Sequence, residues 1–423
     1  MITRRDFSKI VFYSAGLSVI PKQLLSQNYK GPINWVGSSF LTGSGNINNY
    51  FPISKKAFEI LMSDSNASFF NYQLTKILRD KPLNNVNLSL QGFEKNAKLA
   101  LTFGFGGEFD YGFTYDDEIK EYQYLLRIYS YSVLYDPNSR TIISSYPVRY
   151  FAITSSKIGS ANVDQKSEML KYHMYNEDTP NKNIVYAFRK EIENQSFVSK
   201  KWQGRRPKVT EVSIPTDPNL YKTLKIPPER FKEFIGQETT FAYGSILKSP
   251  IIPYIKTKGL GVTTISRFDA ATKLYQKVAA KLPNPDVEIK VIHQGWEFYE
   301  EKIKNLSDLL SVELGMGIQI IIYDTFEEVE IYNQFFVAAH NYFEKKNNEL
   351  RSDDATLSYL TAALLDRVFR SIIDQNFRKT LFDGEEISTS LSYGQLSYYF
   401  KLDSEDFNNV SSQSNAVLKN LPI

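Results

Sequence analysis

The sequence EYQYLLRIYSYSVLYDPNSRTIISSYPVRYFAI, residues 121–153, decides the fold of the first half of the chain. Residues 122–135 are rich in tyrosine and large aliphatic side chains, a composition typical of a β-strand. The Asp-Pro-Asn-Ser tetrapeptide at 136–139 favours a turn, because proline presets its φ angle and the Asp and Asn side chains bond to the local backbone. Residues 141–153 again have strand composition, so the stretch predicts an antiparallel hairpin.

The segments before the hairpin add helices and further strands. Residues 33–40 predict a short buried strand, and residues 97–113 predict twisted strands because glycines interrupt the apolar positions. Between these strands, residues 53–62 and 68–79 carry apolar side chains at helical spacing. The first half is therefore predicted to be an antiparallel β-meander with helices.

From residue 259 onward the pattern favours an alternation of helix and strand. Residues 287–293 and 318–323 predict buried strands. Further predicted elements are helices over 268–281, 296–305, 306–314, 329–348 and 355–382, and a last strand over 393–402. We expect an alternating helix/strand α/β domain in this half, and an α/β or α+β class for the chain.

Composition shifts divide the chain into five predicted regions. These are a signal segment at 1–27, an α+β domain at 28–154, a polar excursion or linker at 155–258, an α/β domain at 259–402 and a disordered tail at 403–423. Within the polar excursion, residues 184–188 predict a strand, and residues 226–236 predict a short helix that ends at Gly236.

Charge and cysteine content exclude several function classes. The 423 residues include 50 Lys and Arg and 47 Asp and Glu, a net charge of +3. The first 27 residues carry all of this excess, so the remainder is neutral and gives no support for nucleic-acid binding. The absence of cysteine excludes disulfides, thiolate metal sites and a cysteine nucleophile. With only three histidines, far apart in sequence, we expect no metal and no cofactor.

The N-terminus has the parts of an export signal. A charged start, which contains Arg4, Arg5, Phe7 and Lys9, precedes an uncharged stretch at 10–20 that is too short to span a bilayer. The adjacent arginines, the aromatic residue and the closing lysine resemble a twin-arginine translocation signal. The resemblance implies recognition by the twin-arginine translocase and a periplasmic or envelope location, with at most peripheral or signal-anchored membrane contact.

Two groups of residues are candidates for chemistry. Asp324 and His293 each follow a predicted buried strand, where α/β proteins often place ligand groups, and Glu297 comes shortly after His293. Together they could form an acid/base pair or half a metal site, but the simpler explanation is that Asp324 caps the following helix and His293 is a structural hydrogen-bonding group. The second group is a basic aromatic segment suited to an anionic partner or to a solvated loop. It consists of Lys200, Lys201, Trp202, Arg205 and Arg206.

The hairpin resembles the small α/β domain of the curli-secretion lipoprotein and of the lipoprotein activators of penicillin-binding proteins. The similarity lies in Leu125-Leu126-Arg127-Ile128, Asp136 and Ile142-Ile143-Ser144. The resemblance implies a non-catalytic envelope adaptor whose partner is an unknown envelope protein or glycan. Two alternatives stay open at this point: an exported hydrolase that uses carboxylates near Asp324 and His293, and a periplasmic ligand- or glycan-binding protein.

The export signal makes a direct prediction. Changing Arg4→Lys and Arg5→Lys together should keep the protein in the cytoplasm, because the twin-arginine route requires the arginine pair while the charge stays the same. Cell fractionation followed by immunoblotting measures the distribution. An unchanged location in the double variant would contradict the twin-arginine assignment.

Overall fold

The fold is described from a computed structural model of the chain. The described residues are 31–42, 47–63, 69–83, 86–90, 94, 96–116, 119–157, 159, 161–175, 183–193, 206–221, 224, 226–247, 249–255, 262–269, 274–302, 309–345 and 353–373. The signal segment, residues 200–205, and the predicted strand and tail at 393–423 lie outside these ranges. Among the described helices, none combines the length and the apolar character needed to cross a membrane.

Eleven strands in the described ranges form two sheets. The strands are β1 (Ile33–Thr42), β2 (Leu88–Ser89), β3 (Leu99–Asp116), β4 (Glu121–Asp136), β5 (Thr141–Ser156), β6 (Pro207–Ser213), β7 (Val262–Asp269), β8 (Leu274–Lys281), β9 (Val287–Lys302), β10 (Leu309–Asp324) and β11 (Val329–Lys345). The first sheet has the order β2-β1-β3-β4-β5-β8-β7, and β7 also pairs with β1. The second sheet has the order β11-β10-β9-β6.

The predicted hairpin is present as β4 and β5. The two strands pair from Tyr122 opposite Ser156 to Asp136 opposite Thr141. In the turn, Asp136 Oδ1 accepts a hydrogen bond of 2.8 Å from the backbone N–H of Asn138, as the turn chemistry predicts. The hairpin is the centre of the first sheet, with β3 alongside β4.

Seven α-helices in the described ranges form two separate layers. The helices are α1 (Ile47–Tyr50), α2 (Pro52–Ser63), α3 (Phe69–Asp80), α4 (Val163–Met174), α5 (Ile184–Glu193), α6 (Pro228–Leu247) and α7 (Asp353–Ile373). Helices α1–α5 pack on one face of the first sheet through a core that includes Phe58, Phe70 and Phe105. Helices α6 and α7 share a second core with the other face of this sheet and the inner face of the second sheet.

Helix α6 is therefore an interior element. Every residue from Phe234 to Gly244 is buried, including the polar Gln237 and Glu238. A helix that is enclosed on all sides needs partners for its polar side chains as well as for its apolar ones. Strands β3, β4 and β5 supply these partners.

The α/β or α+β class is confirmed, but the predicted alternation of helix and strand in the second half is replaced by a β-meander. Residues predicted as helices at 296–305, 306–314 and 329–348 lie in β9, β10 and β11 or outside the described residues. The inner face of β10 shows the reason, since Leu314, Met316 and Ile318 are buried at a spacing of two. Apolar residues on the outer face conceal this alternation in the sequence.

Three shorter predictions also differ from the structure. The predicted helix at 268–281 is part of the β7–β8 pair, which completes the first sheet, so neighbouring strands override the local helix signal. The predicted strand at 184–188 begins helix α5, where Asn183 Oδ1 accepts from the N–H of Tyr186 at 2.9 Å and acts as the N-cap. The helix predicted to end at Gly236 continues to Leu247. The five domain boundaries remain predictions.

The ring of Tyr254 packs so closely against Gly236 of α6 that this position has no room for a side chain. A methyl group in place of its hydrogen would overlap ring carbons of Tyr254. Alanine in a helix is usually favoured over glycine by about 1 kcal/mol, but overpacking costs about 1–3 kcal/mol. We therefore expect Gly236→Ala to lower the free energy of unfolding, measured by urea titration of the purified chain.

A control in the same helix separates packing from helix propensity. Ser245 is half-buried near the end of α6, and Ser245→Ala should change the unfolding free energy by no more than about 0.5 kcal/mol. A Gly236→Ala variant as stable as the original chain would show that the Tyr254 ring moves aside without cost.

Candidate functional site

A fully buried ion pair joins β4 to α6. Arg127 Nη1 is 2.5 Å from Glu238 Oε1, and the Tyr129 hydroxyl donates to the same carboxylate oxygen. Glu238 is 0% exposed and Arg127 is 2% exposed. Burial opposes the charge of Arg127, but Glu238 and the neighbouring Tyr129 and Tyr111 together outweigh it and raise the pKa of the guanidinium. Burial also raises the pKa of the Glu238 carboxyl group, and the two adjacent arginines oppose that rise.

A second ion pair extends this group toward the surface. Both terminal nitrogens of Arg149 on β5 bind Asp366 of α7, each at 2.7 Å. Arg149 Nη2 is also 4.0 Å from Glu238 Oε2. Two arginines and two carboxylates thus balance one another and connect β4, β5, α6 and α7.

The neighbouring glutamine attaches the helix to the sheet in the same way. Gln237 Oε1 accepts from the hydroxyl of Tyr131 at 2.5 Å, and its Nε2 donates to the carbonyls of Gly106 and Tyr254 at 3.0 and 2.8 Å. These polar groups face one another within the core. They fix the position of α6 against the first sheet.

The predicted acid/base pair is not brought together. In the pairing of β9 with β10, His293 lies opposite Ile318, whereas Asp324 lies opposite Val287. The six residue steps from Ile318 to Asp324 correspond to about 20 Å along an extended strand. His293 and Asp324 therefore cannot act on one substrate atom.

Each of these two residues has a structural position instead. His293 is buried between the rings of Phe231 and Trp296, and its Nδ1 accepts from the N–H of Gly295 at 3.2 Å. Burial lowers the pKa of His293 to about 3, so its imidazole is neutral. Asp324 Oδ1 accepts from the backbone N–H groups of residues 326 and 327 and holds the turn between β10 and β11.

Glu297, the third predicted residue, lines a concave surface of about 330 Å³ on the outer face of the second sheet. We call this surface the trough. Leu220 and Trp296 are its two aliphatic and indole-bearing lining residues. Its other lining residues are Gln294, Gly295, Glu297, Tyr299, Glu313 and Gly315.

The strand register explains how the trough forms. Glu297 lies opposite Gly315, and Tyr299 lies opposite Glu313, so all four residues share one face of the sheet. The β-carbons of diagonal neighbours such as Glu297 and Glu313 are about 7–8 Å apart. Gly315 has no side chain to fill the space between them, which leaves the floor open.

The outer face that carries the trough is in contact with solvent. Gln294 Nε2 donates to Gln319 Oε1 at 3.4 Å, and Gln319 Nε2 donates to Asn333 Oδ1 at 2.8 Å. Both hydrogen bonds are exposed and run across β9, β10 and β11. Tyr299, at 52% exposed, lies on the same face.

The basic segment is described only at its last residue. Arg206 forms two hydrogen bonds with Asp286, Nε to Oδ2 at 2.9 Å and Nη2 to Oδ1 at 3.1 Å. This pair anchors the start of β6 beside β9, so Arg206 has a structural partner. Lys200, Lys201, Trp202 and Arg205 lie outside the described residues, as do the signal residues Arg4, Arg5, Phe7 and Lys9.

Sequence patterns predicted neither the buried pair nor any lining residue of the trough except Glu297. A signal for the pair was available, because Arg127 is the single charge between residues 122 and 135, and Glu238 is the single charge between residues 234 and 247. Such isolated charges predict a buried partner of opposite sign. Tyr299 and Glu313 had no comparable signal, since they meet only through the register of β9 with β10. Among the described residues, no group of three or more His, Asp or Glu is placed to hold a metal ion.

Comparison with known proteins gives no family. No protein-family model matches the sequence, and no curated protein matches it. Among solved structures, the chain is similar to a minor lipoprotein from Acinetobacter baumannii, with 12% identity, a TM-score of 0.19, and coverage of 42% of this chain and 95% of that chain.

Two further solved structures show the same low level of similarity. A protein from Chlamydia trachomatis has 11% identity and a TM-score of 0.21, over 41% of this chain and 95% of that chain. A Helicobacter pylori protein, described as a homolog of a neuraminyllactose-binding hemagglutinin, has 10% identity and a TM-score of 0.21, over 48% of this chain and 91% of that chain. TM-scores this low do not establish a shared fold, so no property of these proteins is transferred to this chain.

The buried pair predicts a large loss of stability when one partner is removed. Arg127→Met keeps much of the side-chain volume but leaves the Glu238 carboxylate without its cation. Breaking a buried ion pair in this way costs about 3–5 kcal/mol. Urea unfolding followed by circular dichroism measures the change.

Two comparison variants make this test specific. Arg79→Met breaks an exposed pair with Asp80 and should cost less than about 1 kcal/mol. The double variant Arg127→Met/Glu238→Gln removes both charges and should recover part of the loss of the single variant. Equal losses in Arg127→Met and Arg79→Met would show that the buried pair contributes no special stability.

Proposed function

We propose that the chain is an exported envelope protein that acts without catalysis, as an adaptor that holds a protein partner at the trough. The observation that carries the proposal is the trough itself, which groups carboxylates and an exposed aromatic ring over a floor without side chains. Exposed aromatic residues in a concavity are typical of binding surfaces.

The layer arrangement supports this choice of surface. Helices α1–α5 cover one face of the first sheet, and α6 and α7 lie between the two sheets. The outer face of the second sheet is the face that helices α1–α7 leave uncovered. A partner therefore reaches the trough without displacing any of these helices.

The sequence supports export, through the signal-like segment that contains Arg4, Arg5, Phe7 and Lys9. We propose the periplasm or the cell envelope as the location. The separation of Asp324 from His293 by about 20 Å counts against the hydrolase alternative that used this pair.

Glycan binding is a second candidate, favoured by one observation. The half-exposed ring of Tyr299 lies beside Gln294 and Glu297 in the trough. An aromatic ring with adjacent hydrogen-bonding side chains suits the apolar face and the hydroxyl groups of a sugar. Crosslinking to protein distinguishes this candidate from the adaptor.

The adaptor proposal predicts position-specific crosslinking in living cells. A photo-crosslinking amino acid in place of Tyr299 should yield a discrete protein adduct, because this side chain lies at the trough. Immunoblotting of envelope fractions after irradiation shows the adduct as a band of higher mass.

The matched control uses an exposed tyrosine on another layer. Tyr172 on α4 is 60% exposed and lies on the helical side of the first sheet. The same amino acid there should give no such band. Equal adducts at both positions, or none at Tyr299, would contradict a protein partner at the trough.

A further inference from the structure

In the described part of the chain, no strand pairs with the outer half of β5 on the side away from β4. Strand β8 reaches β5 only at Thr141, which lies opposite Lys281. Further along, the carbonyl of Ser145 accepts a hydrogen bond of 2.9 Å from the N–H of Ile251, so the backbone groups of Ser145 point away from β4. Backbone groups alternate sides along a strand, so every second residue after Ser145 also points away from β4.

This outward row ends in a set of residues that we call the β5 edge: Arg149, Phe151, Ile153 and Ser155. No other described segment forms a backbone–backbone hydrogen bond with the β5 edge from its outer side. The side chain of His173 on α4 does hydrogen-bond to the backbone of Ile153. Because a carbonyl oxygen can accept a second hydrogen bond, this contact leaves the row able to bond to another strand.

The β5 edge carries exposed apolar side chains. Phe151 is 40% exposed and Ile153 is 58% exposed, and Leu125 of β4 lies directly opposite Ile153. Natural edge strands are usually protected from pairing by charged side chains, prolines or bulges. Residues 150–156 carry no charge and no proline. This part of β5 therefore has the properties of a strand that pairs with another one.

We infer that the β5 edge pairs antiparallel with the β5 edge of a second copy of this chain and joins the two first sheets. Only residues of the outward row can exchange backbone hydrogen bonds across this interface. A two-fold axis at Ala152 places Phe151 opposite the second copy's Ile153, and Arg149 opposite its Ser155. Pairs of an aromatic and a β-branched residue are favourable across strands.

The side chains favour this register over its neighbours. An axis at Ile153 would place Arg149 opposite the second copy's Lys157, and like charges directly opposite each other are destabilising. An axis at Phe151 would place Arg149 opposite Ile153 and leave the apolar residues without each other. A two-fold interface must be complementary to itself, and the axis at Ala152 meets this condition.

The inference goes beyond the proposed function. The β5 edge belongs to the first sheet and the trough to the second. A dimer would therefore carry two troughs. Failure to dimerise would leave the adaptor proposal standing, and absence of an adduct at Tyr299 would leave the dimer standing.

Analytical ultracentrifugation of the purified full chain tests the dimer. We expect a monomer–dimer equilibrium, and Ile153→Lys should raise its dissociation constant about tenfold, because the substitution puts a charge into the joined sheet. Ile153→Pro should act in the same direction. It removes an N–H that points away from β4, so the hydrogen bonds between β4 and β5 remain.

The control for these variants is Val329→Lys, which makes the same kind of change at a 43% exposed position on β11. It should leave the dissociation constant unchanged. A monomeric original chain, or equal weakening by the control, would overturn the inference. A monomer that crosslinks to a different protein through a photo-reactive residue at position 153 would show that another partner covers the edge, and would overturn it too.

An introduced thiol tests the register, since the chain contains no cysteine. Across the axis, Ala152 faces its own copy as a pair without hydrogen bonds, with the two Cα atoms about 4.5 Å apart. This distance suits a disulfide. Ala152→Cys should therefore give a disulfide-linked dimer on mild oxidation, seen on a non-reducing gel.

The matched control is Thr154→Cys, which lies on the same face of β5. Its thiol would be about 13 Å from its copy along the strand, too far for a disulfide. We expect this variant to stay unlinked. Equal linkage at both positions, or linkage at 154 alone, would overturn the proposed pairing.

Discussion

The ion pair between Arg127 and Glu238 is the constraint on which the rest of the structure depends. A charged helix in the interior is unfavourable unless the opposite charge lies within contact distance, and β4 provides it at 2.5 Å. Gln237 also attaches α6 to β4, because its side-chain oxygen accepts a hydrogen bond from the hydroxyl of Tyr131. These bonds select one position of α6 against the first sheet. With α6 in place, its opposite side becomes the surface on which the inner face of the second sheet packs.

The sequence predicts the parts of this fold that depend on local signals. The predictions of the turn at Asp136 and of the strands beside it were correct, because turn chemistry and strand composition agree within about 30 residues. Residues 287–293 and 318–323 of the second sheet were predicted correctly as strands, but the rest of β9–β11 was predicted as helices because the outer face also carries apolar residues, such as Val337. These residues obscure the period of two that the inner residues show. The long-range pairing that settles the question is not encoded in any one segment.

The prediction that His293 and Asp324 lie close together depended on a parallel sheet, whereas β9 and β10 are antiparallel. In a parallel sheet the carboxyl ends of neighbouring strands meet at one edge, which would bring His293 and Asp324 together. In the antiparallel pair of β9 and β10, the end of β10 lies beside the beginning of β9, opposite Val287. The same register brings Glu297 and Glu313 together, although 16 positions separate them in the sequence. The sequence therefore did not predict that these two glutamates lie close together, because both segments were predicted as helices.

The two groups of carboxylates differ in how far they are buried. Glu238 is enclosed, and arginines of the same chain lie next to it, so its charge contributes to structure. Glu313 is less buried and lines the trough on the outer face of the second sheet, opposite Tyr299. A buried carboxylate with partners in its own chain thus helps to specify the fold, whereas Glu313 contributes to an exposed surface.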